Sequence, residues 1–145
     1  MAGRFLEVRA RSLALAAPLS AEDQGVQSMP DASPIKWHLA HTTWFFETVV
    51  LVPHGPGYRV HEPRWASLFN SYYESLGPRH PRPERGLLTR PGLAEVHRYR
   101  EQVDAAVCAL LAQADEAVWQ MAGPLVELGL QHEQQHQELM CTDIL

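Results

Sequence analysis

The chain has 145 residues, about the length of one domain, which is enough to bury a core of its own. Hydrophobic residues make up 46% of it and charged residues 20%, which argues against a disordered chain. The formal net charge is −5, which argues against a nucleic-acid-binding protein, because such proteins usually carry a basic excess. The sequence has no apolar run of the roughly 18 residues that a membrane span needs.

The cysteines and the N-terminal segment indicate in which cellular compartment the protein is expected. Cys108 and Cys141 are too few for a disulfide framework, so we expect a protein of the reducing cytoplasm. The arginines of residues 1–19 are scattered, whereas a signal peptide clusters its charge ahead of an unbroken apolar segment. This segment therefore predicts an amphipathic helix.

Apolar residues at helical spacing predict helices in the first third of the chain. A first helix is predicted over residues 4–19, and Ser20 is placed to cap a short second helix. Ser33 and Pro34 together are typical of a helix start, with Ser33 as N-cap and Pro34 at the first helical position. We expect this third helix to continue to about residue 52.

The second half of the chain combines loops with two long helical regions. Residues 53–64 are predicted to be a loop, 65–76 a turn or two of helix, and 77–91 a long proline-rich irregular segment. A strong helix is predicted over about 92–114. Asp115 then begins a short helix that we expect to break at Gly123 and Pro124, and a last helix runs from Pro124 to the chain end.

The predicted elements indicate an all-α fold. The sequence shows no internal repeat, no low-complexity tract and no alternating strand pattern. Three or four main helices of roughly 15 to 22 residues are typical of a helix bundle. We therefore expect a helical bundle with a long Pro/Arg-rich loop.

The sequence feature richest in chemistry is the histidine pair His132 and His136. On a helix, residues i and i+4 lie one turn apart on the same face, about 5 to 6 Å between Cβ atoms. Two imidazoles in that position can bind one metal ion. Leu128 and Leu139 bracket the pair, so we expect the imidazoles to face the core, where a neutral histidine needs a partner.

Two other interpretations of this segment are open. The string HEQQH matches the zinc-protease pattern, in which Glu133 would act as general base. However, the residues after His136 lack the glycine and the third histidine of the metzincin extension. Alternatively, both histidines are surface residues in a glutamine-rich helix face.

A third ligand is expected from the helix that begins near Ser33. His38 and His41 both lie there, within an aromatic cluster, and the spacing alone does not choose between them. Three neutral nitrogens without a carboxylate leave coordination positions open, which favours a catalytic over a closed structural site.

Four motifs, in order over nearly the whole chain, carry a resemblance to a known family. They are SPIKWHLAHTTWFFE at 33–47, LFNSYY at 68–73, PRPERGLLTRP at 81–91 and HEQQHQE at 132–138. Together they resemble the N-terminal part of the ergothioneine-biosynthesis sulfoxide synthases. In that family the region is a DinB-like four-helix bundle that holds non-haem Fe(II). The resemblance implies His41, His132 and His136 as the iron ligands.

The resemblance also implies an activity and its substrates. The family joins C2 of the imidazole of hercynine, a trimethylated histidine, to cysteine or γ-glutamylcysteine, oxidises the sulfur and consumes O₂. Iron suits this reaction because zinc has no accessible redox change. Tyr72 and Tyr73 are implied beside the iron, with Tyr73 favoured as the proton donor. The branch with this tyrosine pair favours cysteine as the thiol.

The proline-rich loop supplies the implied substrate-binding residues. The family places arginines of this loop on the carboxylate of the thiol substrate, and here these are Arg82, Arg85 and Arg90. An arginine guanidinium matches a carboxylate bidentately.

The family enzymes continue into a second domain that resembles formylglycine-generating enzymes and supplies much of the substrate pocket. Residues 1–145 correspond to the iron-binding helical domain alone, so we expect a truncated N-terminal part that folds and binds iron. Two alternatives stay open. One is a stand-alone DinB-like thiol transferase or hydrolase that uses zinc or another divalent ion, and the other is a non-catalytic helical interaction module.

Overall fold

The computed structural model describes residues 1–71, 75 and 77–144, and within these ranges the regular structure is entirely helical. The α-helices are α1 (Ala2–Ala16), α2 (Ala21–Gly25), α3 (Ile35–Phe45), α4 (Val52–His54), α5 (Trp65–Phe69), α6 (Leu93–Gln113) and α7 (Glu116–Asp143). A π-helical segment, Phe46–Leu51, joins α3 to α4, and a 3₁₀ segment, Arg82–Leu87, lies in the long loop. The predicted all-α fold is confirmed.

Four long helical rods form the bundle. They are α1, the continuous run from α3 through α4, α6 and α7. The helix α1 packs on α7, and α3 packs on both α6 and α7. None of the helices in the described ranges is long and apolar enough to cross a membrane.

The first residues of α2 and α3 test the two predicted N-caps, Ser20 and Ser33. Ser20 caps α2, since its Oγ accepts from the backbone N–H of Asp23 at 3.0 Å and the Asp23 carboxylate accepts from the Ser20 N–H at 2.9 Å. The prediction for Ser33 was wrong. Pro34 takes the N-cap position of α3, and the Ser33 hydroxyl instead accepts from the Arg85 guanidinium at 2.9 Å.

The predicted break at Gly123 and Pro124 was also wrong, because α7 runs through both residues. Proline removes one hydrogen bond, the one to the carbonyl four residues earlier. Here that carbonyl belongs to Gln120, which is exposed and open to water. The neighbouring Ala122 and Val126 are fully packed in the core, and this packing keeps the helix continuous across the missing bond.

A small residue lets α7 approach the helical run of α3. A Cβ atom built on Gly129 would lie 2.5 Å from Cε1 of Phe46, a distance that real Cβ contacts do not show. Gly129 is therefore needed for close packing, one turn before the histidine pair of α7. Leu128, which we expected to face inward, is instead 54% exposed.

A buried ionic cluster ties three of the rods together. Glu133 of α7 accepts from Arg9 of α1 at 2.9 Å and from Arg100 of α6 at 3.0 Å. The hydroxyl of Ser12 donates to the same carboxylate at 2.6 Å. Burial alone would raise the pKa of Glu133, but the two arginines outweigh it and hold the pKa at about 2.

Replacing Glu133 with glutamine is expected to lower the free energy of unfolding by about 3 kcal/mol or more, because two buried guanidinium groups lose their shared counter-charge. Since the folded-state pKa of Glu133 lies below its ordinary value of 4.5, its stabilising effect is complete above about pH 4.5 and is lost as the pH falls towards 2. Urea unfolding at several pH values measures both effects.

The matched control is Glu138→Gln, on the exposed part of the same helix, which should leave the unfolding midpoint unchanged. Equal stability of Glu133→Gln and the native chain would contradict the role assigned to this cluster.

Candidate metal centre

The structure brings together three histidines from two helices. His41 lies on α3, and His132 and His136 lie one turn apart on α7. Their ligand-capable nitrogens all lie within 4.8 Å of one another, and this is the group of residues that could hold a metal ion in the described part of the chain. His41 is completely enclosed, whereas the two histidines of α7 are partly exposed.

The spacing of the nitrogens fits a single ion. Nε2 of His41 lies 3.1 Å from Nε2 of His132. With metal–nitrogen distances of about 2.1 Å, two nitrogens on one ion lie about 3.0 Å apart at a right angle and about 3.4 Å apart at the tetrahedral angle. The observed separation falls between these values, so the nitrogens of His41 and His132 are spaced to bind one first-row divalent ion.

The surroundings of His41 fix which of its nitrogens faces the site. Its Nδ1 lies 2.5 Å from the carbonyl oxygen of Phe69 and donates to it, which leaves Nε2 with a lone pair. The ring also lies nearly parallel to Trp37, with centroids 4.6 Å apart, and to Trp44, with centroids 5.7 Å apart. These contacts hold the imidazole in one orientation.

All three histidines are neutral at pH 7. Burial lowers the pKa of His41 well below 6.5, and the neighbouring His136 and His132 lower it further. Burial also lowers the pKa of His132 to about 4 and, together with the nearby His38 and His132, that of His136 to about 2. A neutral imidazole offers a lone pair, which is the form that binds metals.

His38 also lies at the site, although not in the group of three. Its ring nitrogens contact Nδ1 of His136 at 2.9 Å and the carboxylate of Asp143 at 2.8 Å. Burial lowers the pKa of His38, although Asp143 opposes the shift. Spacing left His38 and His41 as equal candidates for the third ligand, and the structure places His41 with the α7 pair.

Glu133 lies outside this site despite standing next to His132 in sequence. Successive residues of a helix point about 100° apart, and the Glu133 carboxylate is held by Arg9 and Arg100 in the core. The zinc-protease interpretation was therefore wrong, because it required this carboxylate beside the metal.

A cavity of about 180 Å³ opens beside the histidines. Besides His38 and the group of three it is lined by Ser33, Trp37, Ser71, Arg82, Arg85, Gln135 and Leu139. A wider cavity of about 470 Å³ shares Ser71, Arg82 and Arg85 with it and extends along the proline-rich loop. Cationic side chains thus border the approach to the candidate metal centre.

Arg85 belongs to the wall of the inner cavity. Its guanidinium carbon lies 3.5 Å from the centroid of the Trp37 ring. It donates to the hydroxyl groups of Ser33 at 2.9 Å and of Ser71 at 3.2 Å. These contacts place a positive charge behind the tryptophan that stacks on His41.

The other predicted site residues are placed differently. Arg82 lines both cavities, whereas Arg90 is exposed and lines neither of them. Tyr72 and Tyr73 lie outside the described residues, so their predicted role stays a prediction. Ser71, which precedes them in the chain, lines both cavities.

Three contributors to the site were not predicted from the sequence: the carbonyl of Phe69, the stacking of Trp37 on His41, and Asp143. A signal existed for two of them. Asp143 stands seven residues after His136, two turns along the same helix face, and Trp37 stands one turn before His41. The carbonyl of Phe69 comes from the end of α5, a separate element, and has no sequence signal.

Comparison with known protein families settles the family. The model of the DinB superfamily matches residues 4–140, nearly the whole chain. The chain belongs to the DinB superfamily. Members of this superfamily are often metal-dependent enzymes, which agrees with the group of three histidines. A search of curated proteins found no match.

The DinB-like bundle expected from the sequence is therefore confirmed. The finer resemblance, to the sulfoxide synthases, stays a prediction.

One equivalent of Fe(II) is expected to bind the native DinB-superfamily chain under anaerobic conditions. Binding should be lost or weakened at least about 100-fold in His41→Ala and in the His132→Ala/His136→Ala double variant, because each removes ligands from the group of three. Titration against a competing chelator measures the affinities.

The control is His54→Ala, in the last turn of α4, about 20 Å along the same helical run from His41. It should bind iron like the native chain. Undiminished affinity in His41→Ala would rule out His41 as the third ligand.

Proposed function

We propose that this chain is the metal-binding part of a non-haem Fe(II), O₂-dependent sulfoxide synthase of ergothioneine biosynthesis. The observation that carries the proposal is a group of three neutral histidines, without a carboxylate, beside a cavity bordered by arginines. The four sequence motifs that resemble this family support the same assignment, and each of them contributes residues to that cavity.

The donor set supports a catalytic ion with open coordination positions. Three imidazoles leave room for a thiol substrate and for O₂. Fe(II) supplies the binding of both and the electron transfer that zinc lacks.

The proposed reaction balances with O₂ as the oxidant. The C2–H bond of the hercynine imidazole and the S–H bond of cysteine break, and a C–S bond and an S–O bond form. One oxygen atom enters the sulfoxide and the other leaves as water, so O₂ accepts four electrons from the two substrates. No further reductant is needed.

The side chains of this chain bind and orient the substrates. Arg82 and Arg85 line the cavity, and in this proposal they bind the carboxylate of cysteine or γ-glutamylcysteine. In this proposal the hydroxyl of Tyr73 holds the proton that the reaction delivers to oxygen. The partners are hercynine, the thiol and O₂, with a second domain completing the pocket.

We also propose that the protein lies in the cytoplasm and binds neither nucleic acid nor membranes. The net charge of −5 is unfavourable for binding to polyanions.

A second candidate function is a DinB-like metal-dependent thiol transferase or hydrolase. Membership of the DinB superfamily over residues 4–140 favours it as much as the synthase. It would use the same three histidines with zinc or another divalent ion, and it would not consume O₂.

Oxygen consumption separates the two functions. The Fe(II)-loaded chain, mixed with hercynine and cysteine in amounts equal to the iron and then exposed to ¹⁸O₂, should form one sulfoxide per O₂ consumed. Mass spectrometry should find one ¹⁸O atom in each product molecule. Using equimolar substrates allows a single turnover to be detected.

The zinc-loaded chain and the His132→Ala/His136→Ala variant are the controls, and both should form no sulfoxide. Thiol transfer by the zinc-loaded chain without O₂ would favour the second candidate. A native chain that binds no metal would favour a non-catalytic module.

Arg82→Gln is expected to weaken the binding of cysteine to the anaerobic Fe(II)-loaded chain about tenfold or more, because a charged hydrogen bond to the carboxylate is lost. Calorimetric titration with cysteine measures the affinity. Arg90→Gln, which changes an exposed arginine outside both cavities, is the matched control and should bind cysteine normally. Equal loss in both variants would contradict a specific role for Arg82.

A further inference from the structure

A chain of polar contacts leads from the candidate metal centre to the end of α7. Nδ1 of His136 lies 2.9 Å from Nδ1 of His38, and Nε2 of His38 lies 2.8 Å from Oδ2 of Asp143. The same carboxylate oxygen accepts from the backbone N–H of Ser33 at 2.9 Å. His38 is 2% exposed, so water has little access to these contacts.

The chemistry of the groups fixes the direction of each hydrogen bond. An ionised carboxylate only accepts, so Nε2 of His38 carries the proton that bonds to Asp143. A neutral His38 then has its lone pair on Nδ1, and Nδ1 of His136 must donate to it. This leaves the lone pair of His136 on Nε2.

We propose that His38 and Asp143 are positioning residues that hold His136 in the Nδ1–H tautomer, with Nε2 presented to the metal ion. The proposal rests on the metal centre of the proposed function, but on neither the identity of the metal nor the reaction. Metal-binding histidines commonly donate their second ring N–H to an acceptor that fixes tautomer and orientation. Here the acceptor is a second histidine, itself held by a carboxylate.

The three ligands differ in the group that accepts a hydrogen bond from the ring nitrogen facing away from the metal. His41 donates to the carbonyl of Phe69, a backbone group at the end of α5. His136 donates to a side chain that comes from α3 and is anchored on α7. The buried Nδ1 of His132 has no hydrogen-bond partner among the described residues. Of the three ligands, His136 is thus the one whose orientation is most easily altered by substituting a side chain that does not bind the metal.

The tautomers can be read in the native chain without any substitution. Long-range ¹H–¹⁵N correlation spectra of the ¹⁵N-histidine-labelled, metal-free chain should show His136 protonated at Nδ1 and His38 protonated at Nε2. In the zinc-loaded chain, Nε2 of His136 should take the shift of a metal-bound nitrogen, while His38 keeps its metal-free pattern.

A metal-free His136 protonated at Nε2 would overturn the proposal. So would a metal-bound shift at His38, since His38 would then be a ligand. A chain that binds no zinc would overturn the metal centre and this role with it. If the chain binds zinc and both tautomers are as expected, but the Fe(II)-loaded chain forms no sulfoxide, the positioning role is supported and the proposed reaction is contradicted.

Substitutions of His38 and Asp143 test the same hydrogen bonds, with the affinity for zinc as the measured quantity. His38→Phe keeps a ring of similar size but removes the acceptor, so zinc affinity should fall about 10- to 100-fold and His136 should show both tautomers. Asp143→Ala should weaken zinc binding in the same way, whereas Asp143→Asn keeps an acceptor for His38 and should restore most of the affinity.

Glu138→Gln, an exposed carboxylate on the same helix, is the matched control and should bind zinc normally. Native affinity in His38→Phe, with His136 still protonated only at Nδ1, would overturn the proposal.

Discussion

The rotation of α7 about its axis is the constraint on which the candidate metal centre depends. Glu133 is enclosed between Arg9 and Arg100, and moving its carboxylate away would deprive both buried guanidinium groups of the counter-charge that they share. Because successive helical residues point about 100° apart, the direction of Glu133 determines that of its neighbours. With Glu133 held in the core, His132 and His136 turn towards α3.

The packing of α3 against α7 brings the third histidine into place. Gly129 allows the two helices to approach where Phe46 would meet any larger side chain. His41 then reaches the α7 pair, held by stacking on Trp37 and by its hydrogen bond to Phe69. Burial keeps the imidazoles neutral, so the same packing that brings the nitrogens together also gives them free lone pairs.

Local patterns in the sequence predicted much of the fold. The N-cap at Ser20, the strong helix before residue 114 and the i, i+4 spacing of the α7 histidines depend on residues within one or two turns of each other. The break expected at Pro124 was wrong because the packing of Ala122 and Val126 outweighs one missing hydrogen bond.

The sequence by itself thus determined the helical elements, the histidine pair and the arginine-bearing loop, because these follow from spacing along the chain. Spacing alone left open which histidine of α3 joins the pair; the family resemblance indicated His41, and the tertiary structure places it there. Tertiary structure also decided which arginines border the cavity. It also decided that His38 bonds to His136 and Asp143, which are 98 and 105 residues away. Such contacts depend on how the helices are rotated and packed, and the sequence near His38 carries no signal for that.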